Sequence, residues 1–328
     1  MVESIWSTTR ALALGAVASI VLRPAALAGT GQPSPWELGF QTPVTPGAEE
    51  LHWFHDFVNV ILFFIVAFVL VLMLISIYRF NERANATPSV ITHNPLLEVA
   101  WTVVPISILV VIAIPSFKLL YSQYSFPKPD LTIKAIGNTW FWEHEYPDQG
   151  FKVTSNVVRD EDLLRAELGG EQFGRRYRGL EGVALTREQQ ADAEPIRQRT
   201  DQPRLLAVDN EIAVPVNKVV HVLITSNDVI HSWAIPSFGT KADAVPGRIT
   251  ATWFKATKPG TYYGQCSELC GKGHAFMPIA VRVVGEQAFN DWVAAAKERD
   301  WRKARTILKA ANEGSGATVL AGSATNAE

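Results

Sequence analysis

Hydrophobic positions fall into three regimes along the chain. Ala11–Leu22 is a short apolar run of twelve residues, whereas Phe57–Tyr78 and Val99–Leu120 are apolar runs of 22 residues each. From Leu131 onward, apolar and polar residues alternate in short stretches punctuated by Pro and Gly. The first run follows Arg10 and is followed by Ala26-Leu27-Ala28, the basic start, short apolar core and small-residue end of a secretory signal peptide, 1–28. Twelve apolar residues are too few to cross hydrocarbon, which argues against a third spanning helix. Residues 29–50, rich in Pro, Gly and Thr, read as a flexible exported segment.

The two long runs would each rise about 33 Å as a helix, enough to span a bilayer, and predict a transmembrane hairpin over 51–122. Trp53 lies at interface depth before the first span. Pro105 and Pro115 inside the second are tolerated where neighbouring helices satisfy the freed backbone. Arg79 and Arg83 in the short connection place it inside, although Glu82 dilutes the bias. Both ends of the hairpin then face outside.

The alternating stretches Leu131–Ile136, Thr139–Tyr146, Val219–Thr225, Ile249–Lys255, Thr261–Gln265 and Ile279–Val284 predict strands of an all-β sandwich or barrel over 127–285. Residues 155–200 interrupt it with 17 charged residues among 46, too many for a core, and are expected to be a surface insertion with a helix at Glu161–Leu168. A C-terminal helix is expected over 286–310 and a disordered tail over 311–328. The chain has 328 residues, 19% of them charged, with a net charge of −2 and no basic cluster on a folded stretch, so nucleic acid is not an expected partner.

Candidate chemistry concentrates in Cys266-Ser-Glu268-Leu-Cys270-Gly-Lys-Gly-His274-Ala-Phe-Met277. Thiol, imidazole and thioether in one glycine-bearing loop favour copper, because zinc sites rarely use a Met thioether. Two thiolates in one loop can bridge two coppers, and His231, in Asn227-Asp228-Val-Ile-His231-Ser-Trp233, is the best candidate for a second imidazole. A disulfide between the only two cysteines and a zinc loop are the alternatives, but neither gives a reason for both His274 and Met277 at these spacings. Alternation along a strand would put Trp140 and Trp142 on one face. Glu98 sits at the inner end of the second span, where an ionisable group is either functional or snorkels to water. His52, His55, His93, His144 and His221 read as structural or surface histidines.

These motifs resemble cytochrome c oxidase subunit II. The resemblance rests on the Cys266–Met277 loop, Asp228-Val-Ile-His231-Ser-Trp233, Asn138-Thr-Trp140-Phe-Trp142-Glu-His-Glu145-Tyr146, Lys241-Ala-Asp243-Ala-Val-Pro-Gly247-Arg248, and His93-Asn94 to Trp101. Together they run from about Leu51 to Val284. The leader makes the chain similar to the alphaproteobacterial and mitochondrial type.

The resemblance implies a membrane-anchored all-β protein: a two-helix hairpin followed by a cupredoxin-like Greek-key β-barrel, in a bacterial inner membrane with the barrel in the periplasm. It implies a dinuclear copper A centre with Cys266 and Cys270 bridging, His231 and His274 terminal, and Met277 and the Glu268 carbonyl completing the set. The Glu268 side chain would reach a magnesium shared with subunit I. Cytochrome c would dock on Glu145, Asp228 and Asp243, pass electrons in at Trp140, and Glu98 would take up protons. Phe141 stands where the family usually has Tyr, and Asn138 where it often has His. Subunit I, the other oxidase subunits and membrane lipid are the further implied partners. A quinol oxidase subunit II would lack the ligands present here. Nitrous oxide reductase would need a propeller for which there is no room. A copper storage or delivery protein would not need two spans.

Overall fold

The computed structural model describes residues 31–177 and 186–311, so the expected signal peptide and nearly all of the expected tail lie outside the described residues. Two long helices lead, α1 (Pro46–Arg79) and α2 (Pro95–Tyr124), both long and apolar enough to cross a membrane. Each starts with Pro in its first turn after a capping side chain: Thr45 accepts from the Ala48 amide at 3.0 Å and Asn94 from the Leu97 amide at 3.2 Å. α1 therefore begins eleven residues before the apolar run, because the cap, not hydropathy, sets where a helix starts. The apolar side chains of both spans point outward, uncovered by this chain, as surfaces for lipid and neighbouring helices require.

The segment expected to be flexible is instead fastened to the β-domain. The Gly31 carbonyl accepts from the Tyr263 amide at 2.8 Å, Val44 donates its amide to Ser237 at 3.0 Å, and the Thr257 amide returns to the Val44 carbonyl at 2.9 Å. The Thr45 hydroxyl donates to the Phe238 carbonyl at 2.8 Å, so the cap of α1 is itself seated on the domain. Val44 and Ala48 are fully buried there. Gly39, Gly47 and the prolines made the segment look like linker, but its satisfied backbone groups make it a strap. Because it precedes α1 and touches a domain that follows α2, both ends of the hairpin lie on one side.

Ten strands follow. One sheet has the order β3-β2-β1-β5-β8, formed by β1 (Leu131–Asn138), β2 (Phe141–Tyr146), β3 (Phe151–Ser155), β5 (Val220–Ser226) and β8 (Thr250–Phe254). A second has the order β4-β10-β9, formed by β4 (Ile212–Pro215), β9 (Gly260–Gln265) and β10 (Pro278–Val284). A two-stranded ladder joins β6 (His231–Ile235) to β7 (Thr240–Ala244). β1 pairs with β5 and β4 with β10 in parallel, and the remaining ladders are antiparallel. The result is an open Greek-key-type sandwich whose sheets do not close into a barrel. Strict alternation in β2 and β5 buries Trp142, His144 and Tyr146, and Val220, Val222 and Ile224, in the space between sheets. β3, β4, β6 and β7 were not expected. They are short, and β6 is buried at four of its five positions, so period-2 alternation is absent.

The insertion carries the expected helix at Glu161–Leu168 but departs from expectation in what surrounds it. It folds into α3 (Asp160–Leu168), α4 (Gly170–Arg176), α5 (Arg187–Ala191) and α6 (Glu194–Thr200), around a core of its own. Leu163, Leu164, Phe173, Tyr177, Ala193 and Ile196 are buried together. Its charges pair with one another on the outside, as in Arg165–Glu161 at 3.2 Å and Arg199–Glu167 at 2.8 Å, and so leave an apolar face free to pack. Charge content counted without period misses that face. The C-terminal helix is likewise two pieces. α7 (Glu286–Lys297) packs Trp292 against Tyr146 and Phe151, Arg299 then takes the left-handed conformation, and α8 runs over 301–311.

One ion pair locks the insertion. Arg197 is 4% exposed, and its guanidinium donates to Asp160 at 2.7 Å and to the carbonyls of Gln202 and Val158. Arg197→Ala leaves Asp160 short of its buried partner, a loss of about 3–5 kcal/mol for a broken buried pair. Hydrogen exchange should then accelerate across α3–α6 while β9 and β10 keep their protection.

Candidate metal centre

The twelve residues 266–277 connect β9 to β10, two antiparallel neighbours whose last pair is Gln265 opposite Pro278. Both ends of the loop are therefore fixed by a ladder. Inside it, the Cys266 amide donates to the Met277 carbonyl at 3.4 Å and the Ser267 amide to the Ser232 carbonyl at 3.0 Å, which ties the loop to β6. His274–Phe276 form one 3-10 turn that begins with the His274 amide bonded to the Gly271 carbonyl at 3.1 Å.

That backbone brings the soft donors together. Cys266 Sγ lies 3.8 Å from Cys270 Sγ and 3.7 Å from His231 Nδ1. Cys270 Sγ lies 3.5 Å from His274 Nδ1 and 3.5 Å from Met277 Sδ, and the Glu268 carbonyl oxygen is 3.3 Å from Cys266 Sγ. His231, Cys266, Cys270 and Met277 are buried. A disulfide would need its sulfurs about 2.05 Å apart, and both thiols are free. Burial, followed by the neighbouring Cys266 thiol, pushes the Cys270 thiol up to about 12. Such a thiol becomes a thiolate only against a cation, so the donor set fits soft metal ions that displace its protons. The thioether among the donors favours copper over zinc.

Trp140 stands in the turn between β1 and β2, next to the Asn138–Phe141 pair, and not on a strand face shared with Trp142. Its Nε1 donates to the Cys270 carbonyl at 3.1 Å. Gly271, at φ +109°, is a turn glycine, but Gly273 is not: a Cβ there would stand 2.2 Å from the indole Cδ2. The second glycine is needed because the Trp140 indole packs directly against the loop, with the Lys272 ammonium 5.9 Å from the ring centroid. Trp142 is wholly buried, donates from Nε1 to the Met277 carbonyl at 3.2 Å, and meets the His231 ring at 6.0 Å in a T-shaped contact.

The remaining expected site residues are distributed over the surface. The Glu268 side chain is exposed. Glu145 lies 4.0 Å from both Lys134 and Lys152, and Asp243 accepts from the Ser232 hydroxyl at 2.8 Å. Asp228 turns inward, with Oδ1 2.8 Å from His231 Nε2. Glu98 is far from the loop, in the first turn of α2, where Oε1 accepts from the Asn94 amide at 3.3 Å. Sequence reasoning missed Gly137, where a Cβ would stand 2.7 Å from His231 Cδ2, so that β1 can pass close to the imidazole. It also missed the inward part of Asp228, for which the spacing of three residues before His231 was the available signal.

His144 is buried between the sheets, its Nε2 3.2 Å from the Trp233 indole nitrogen and its Nδ1 without a partner among the described residues. Burial pushes its pKa down to about 3.

Two family profiles match: "Cytochrome C oxidase subunit II, transmembrane domain" over residues 33–119 and "Cytochrome C oxidase subunit II, periplasmic domain" over 191–284. A probable cytochrome c oxidase subunit 2 of Rickettsia bellii (strain RML369-C) is 44% identical over 265 residues, covering 80% of this chain and 86% of the relative. Cytochrome c oxidase subunit 2 of Cereibacter sphaeroides is 42% identical over 267 residues, covering 81% and 82%. The Zea mays protein is 39% identical over 267 residues, covering 79% and 89%. The solved periplasmic domain of subunit II of cytochrome oxidase (CoxB) of Bradyrhizobium japonicum is 45% identical, covers 53% of this chain and 99% of its own, and superposes with a TM-score of 0.40.

The buried imidazole makes stability depend on pH with a definite sign. Below the ordinary histidine value of 6.5 the unfolded chain binds a proton at His144 that the native chain, with its pKa near 3, refuses. Stability is present in full above that value and falls with falling pH, by about 1.4 kcal/mol per unit. Denaturation of the metal-free full chain between about pH 6.5 and 5, above the carboxylate range, should show this slope, and His144→Phe should flatten it.

Proposed function

The chain belongs to the cytochrome c oxidase subunit II family, and from that premise we propose that its Cys266–Met277 loop and His231 hold a dinuclear copper A centre that receives electrons from cytochrome c. The supporting observation is the convergence of two thiols, two imidazole nitrogens, one thioether and one carbonyl oxygen in a single continuous set, each within 3.8 Å of the next. As subunit II of a haem–copper oxidase, the chain works beside subunit I, as a two-pass membrane protein with a periplasmic domain. Copper bound here supplies a one-electron carrier shared between two metal ions.

The chain's own residues do the rest. In this reading Cys266, Cys270, His231, His274, Met277 and the Glu268 carbonyl would hold the copper. Burial excludes water from the sulfurs, and the β9–β10 ladder keeps the donors from moving when charge changes. Trp140 offers the route inward: its indole covers the loop, and its N–H bonds directly to the carbonyl of Cys270. Glu145 and Asp243, with the field of Asp228, steer a basic cytochrome c toward that indole. The exposed Glu268 side chain is available to a magnesium at the contact with subunit I. Glu98, beside the membrane on the other side, is assigned to proton uptake, and the membrane is the bacterial inner membrane.

Metal analysis and electron paramagnetic resonance of the full chain test the centre. Two coppers with one delocalised mixed-valence signal are expected, and zinc, or one copper with a single-nucleus pattern, refutes it. Cys266→Ser or Cys270→Ser should abolish the signal, whereas Met277→Leu should perturb it with copper retained. In the assembled oxidase, Trp140→Gln should lower kcat more than about tenfold, about 1.4 kcal/mol, with KM and copper content nearly unchanged. A change in KM alone would make Trp140 a docking residue. Glu98→Ala should slow turnover while electron transfer into the loop stays fast; unchanged turnover would leave Glu98 only its bond to the Asn94 amide.

A further inference from the structure

Asp228 is a surface residue by position and an interior one by bonding. Its side chain keeps 31% exposure, yet both oxygens are occupied. Oδ1 accepts from the Val229 amide at 2.7 Å and lies 2.8 Å from His231 Nε2, while the Ser226 hydroxyl, 3.2 Å away, sits closer to the Val229 carbonyl at 2.5 Å. Oδ2 accepts from the Thr139 amide at 2.6 Å and from the Thr139 hydroxyl at 2.5 Å. A carboxylate has about four lone-pair sites, so four donors leave none for a direct bond to a visiting lysine. Toward all of these neighbours the side chain serves as an acceptor.

A carboxylate oxygen facing Nε2 decides which imidazole nitrogen carries the proton. Neutral imidazole has one donor and one acceptor nitrogen. A proton on Nε2, facing Asp228, leaves the lone pair on Nδ1, which points at Cys266 Sγ 3.7 Å away. The ring is fully buried and Gly137 leaves it no spare room, so its orientation is set as well. The same carboxylate grips Thr139, the residue immediately before Trp140, from the other side. We propose that Asp228 is a positioning residue, one carboxylate that fixes the tautomer and orientation of His231 and anchors the Thr139–Trp140 turn to it. This rests on the reading of His231 as a metal ligand. It makes the path from surface indole to ligand a single braced unit: Trp140, Thr139, Asp228, His231.

The tautomer is measurable without metal. In the metal-free full chain labelled with 15N-histidine in detergent, the His231 ring, identified by its loss in His231→Gln, should show its proton on Nε2. A proton on Nδ1 in the wild-type chain overturns the proposal without any variant. Asp228→Asn keeps the shape but replaces one acceptor oxygen with a donor group. It should mix the His231 tautomers or free the Thr139 turn, speed loss of copper to a chelator by about 10–100-fold, as for other outer-shell partners of a metal-bound His, and change the copper hyperfine pattern. The opposite result, wild-type tautomer and copper retention with a flattened salt dependence, would make Asp228 a docking carboxylate and nothing more. Thr139→Val removes one donor only, and should keep the His231 tautomer while broadening the Trp140 indole N–H resonance; a sharp, unshifted indole signal refutes the anchor. If the wild-type chain holds no copper while His231 carries its proton on Nε2, the ligand reading falls and the positioning role of Asp228 stands.

Discussion

Keeping Cys266 and Cys270 at 3.8 Å, near enough to share a metal ion and too far to bond, asks more of the backbone than of the sulfurs. Three residues separate the two, and a flexible loop of that length would let them meet and oxidise. Here the loop leaves and re-enters the sheet at paired residues, is tied across to β6 through Ser232, and is covered by a flat indole. Each constraint removes conformations in which the thiols could reach a shorter distance. The ladder, Gly273, Trp140 and the Ser232 carbonyl are thus parts of one device that holds two reactive groups apart.

The electrostatics of the domain follow from the same enclosure. Burial pushes the Cys270 thiol up and the His144 imidazole down, in each case toward the neutral form. Asp228 is the exception, a charge kept ionised beside a buried ring because four donors converge on it. A centre that must gain and lose one electron benefits from surroundings that do not titrate in response, and neutral neighbours with one fixed anion provide that.

Much of this was legible before the coordinates. Spans and long strands were readable because apolar periodicity and burial coincide there: β2 and β5 alternate, and the two helices carry no interrupting charge over most of their length. The ligand loop was readable because rare residue types recur in it at short spacing. What escaped depends on contacts between residues far apart in sequence. The strap around Val44 has the composition of a linker and is ordered only by Ser237, Phe238 and Thr257. The insertion looked too charged for a core because its arginines and acids pair with one another. Gly273 is required by Trp140, which packs against it from 133 residues earlier in the chain. Asp228 looked like one of three docking acids, and only Ser226, Thr139 and the His231 ring distinguish it from Glu145 and Asp243.

The strap also sets an order of events. Gly31 closes against Tyr263, so the loop it seals contains both membrane helices, the helical insertion and most of the sandwich. β9 is the outer strand of its sheet, and until Gly31 arrives its rim offers unpaired backbone groups to any other chain. Contacts so distant along the polypeptide form late, after the entropy of closing the intervening chain has been overcome. A newborn chain must therefore carry its first exported residues across the membrane, wait while two helices insert, and receive its last strands before the rim is sealed. During that wait the half-built sheet edge is open to association, and the metal loop that extends from β9 is already accessible from outside.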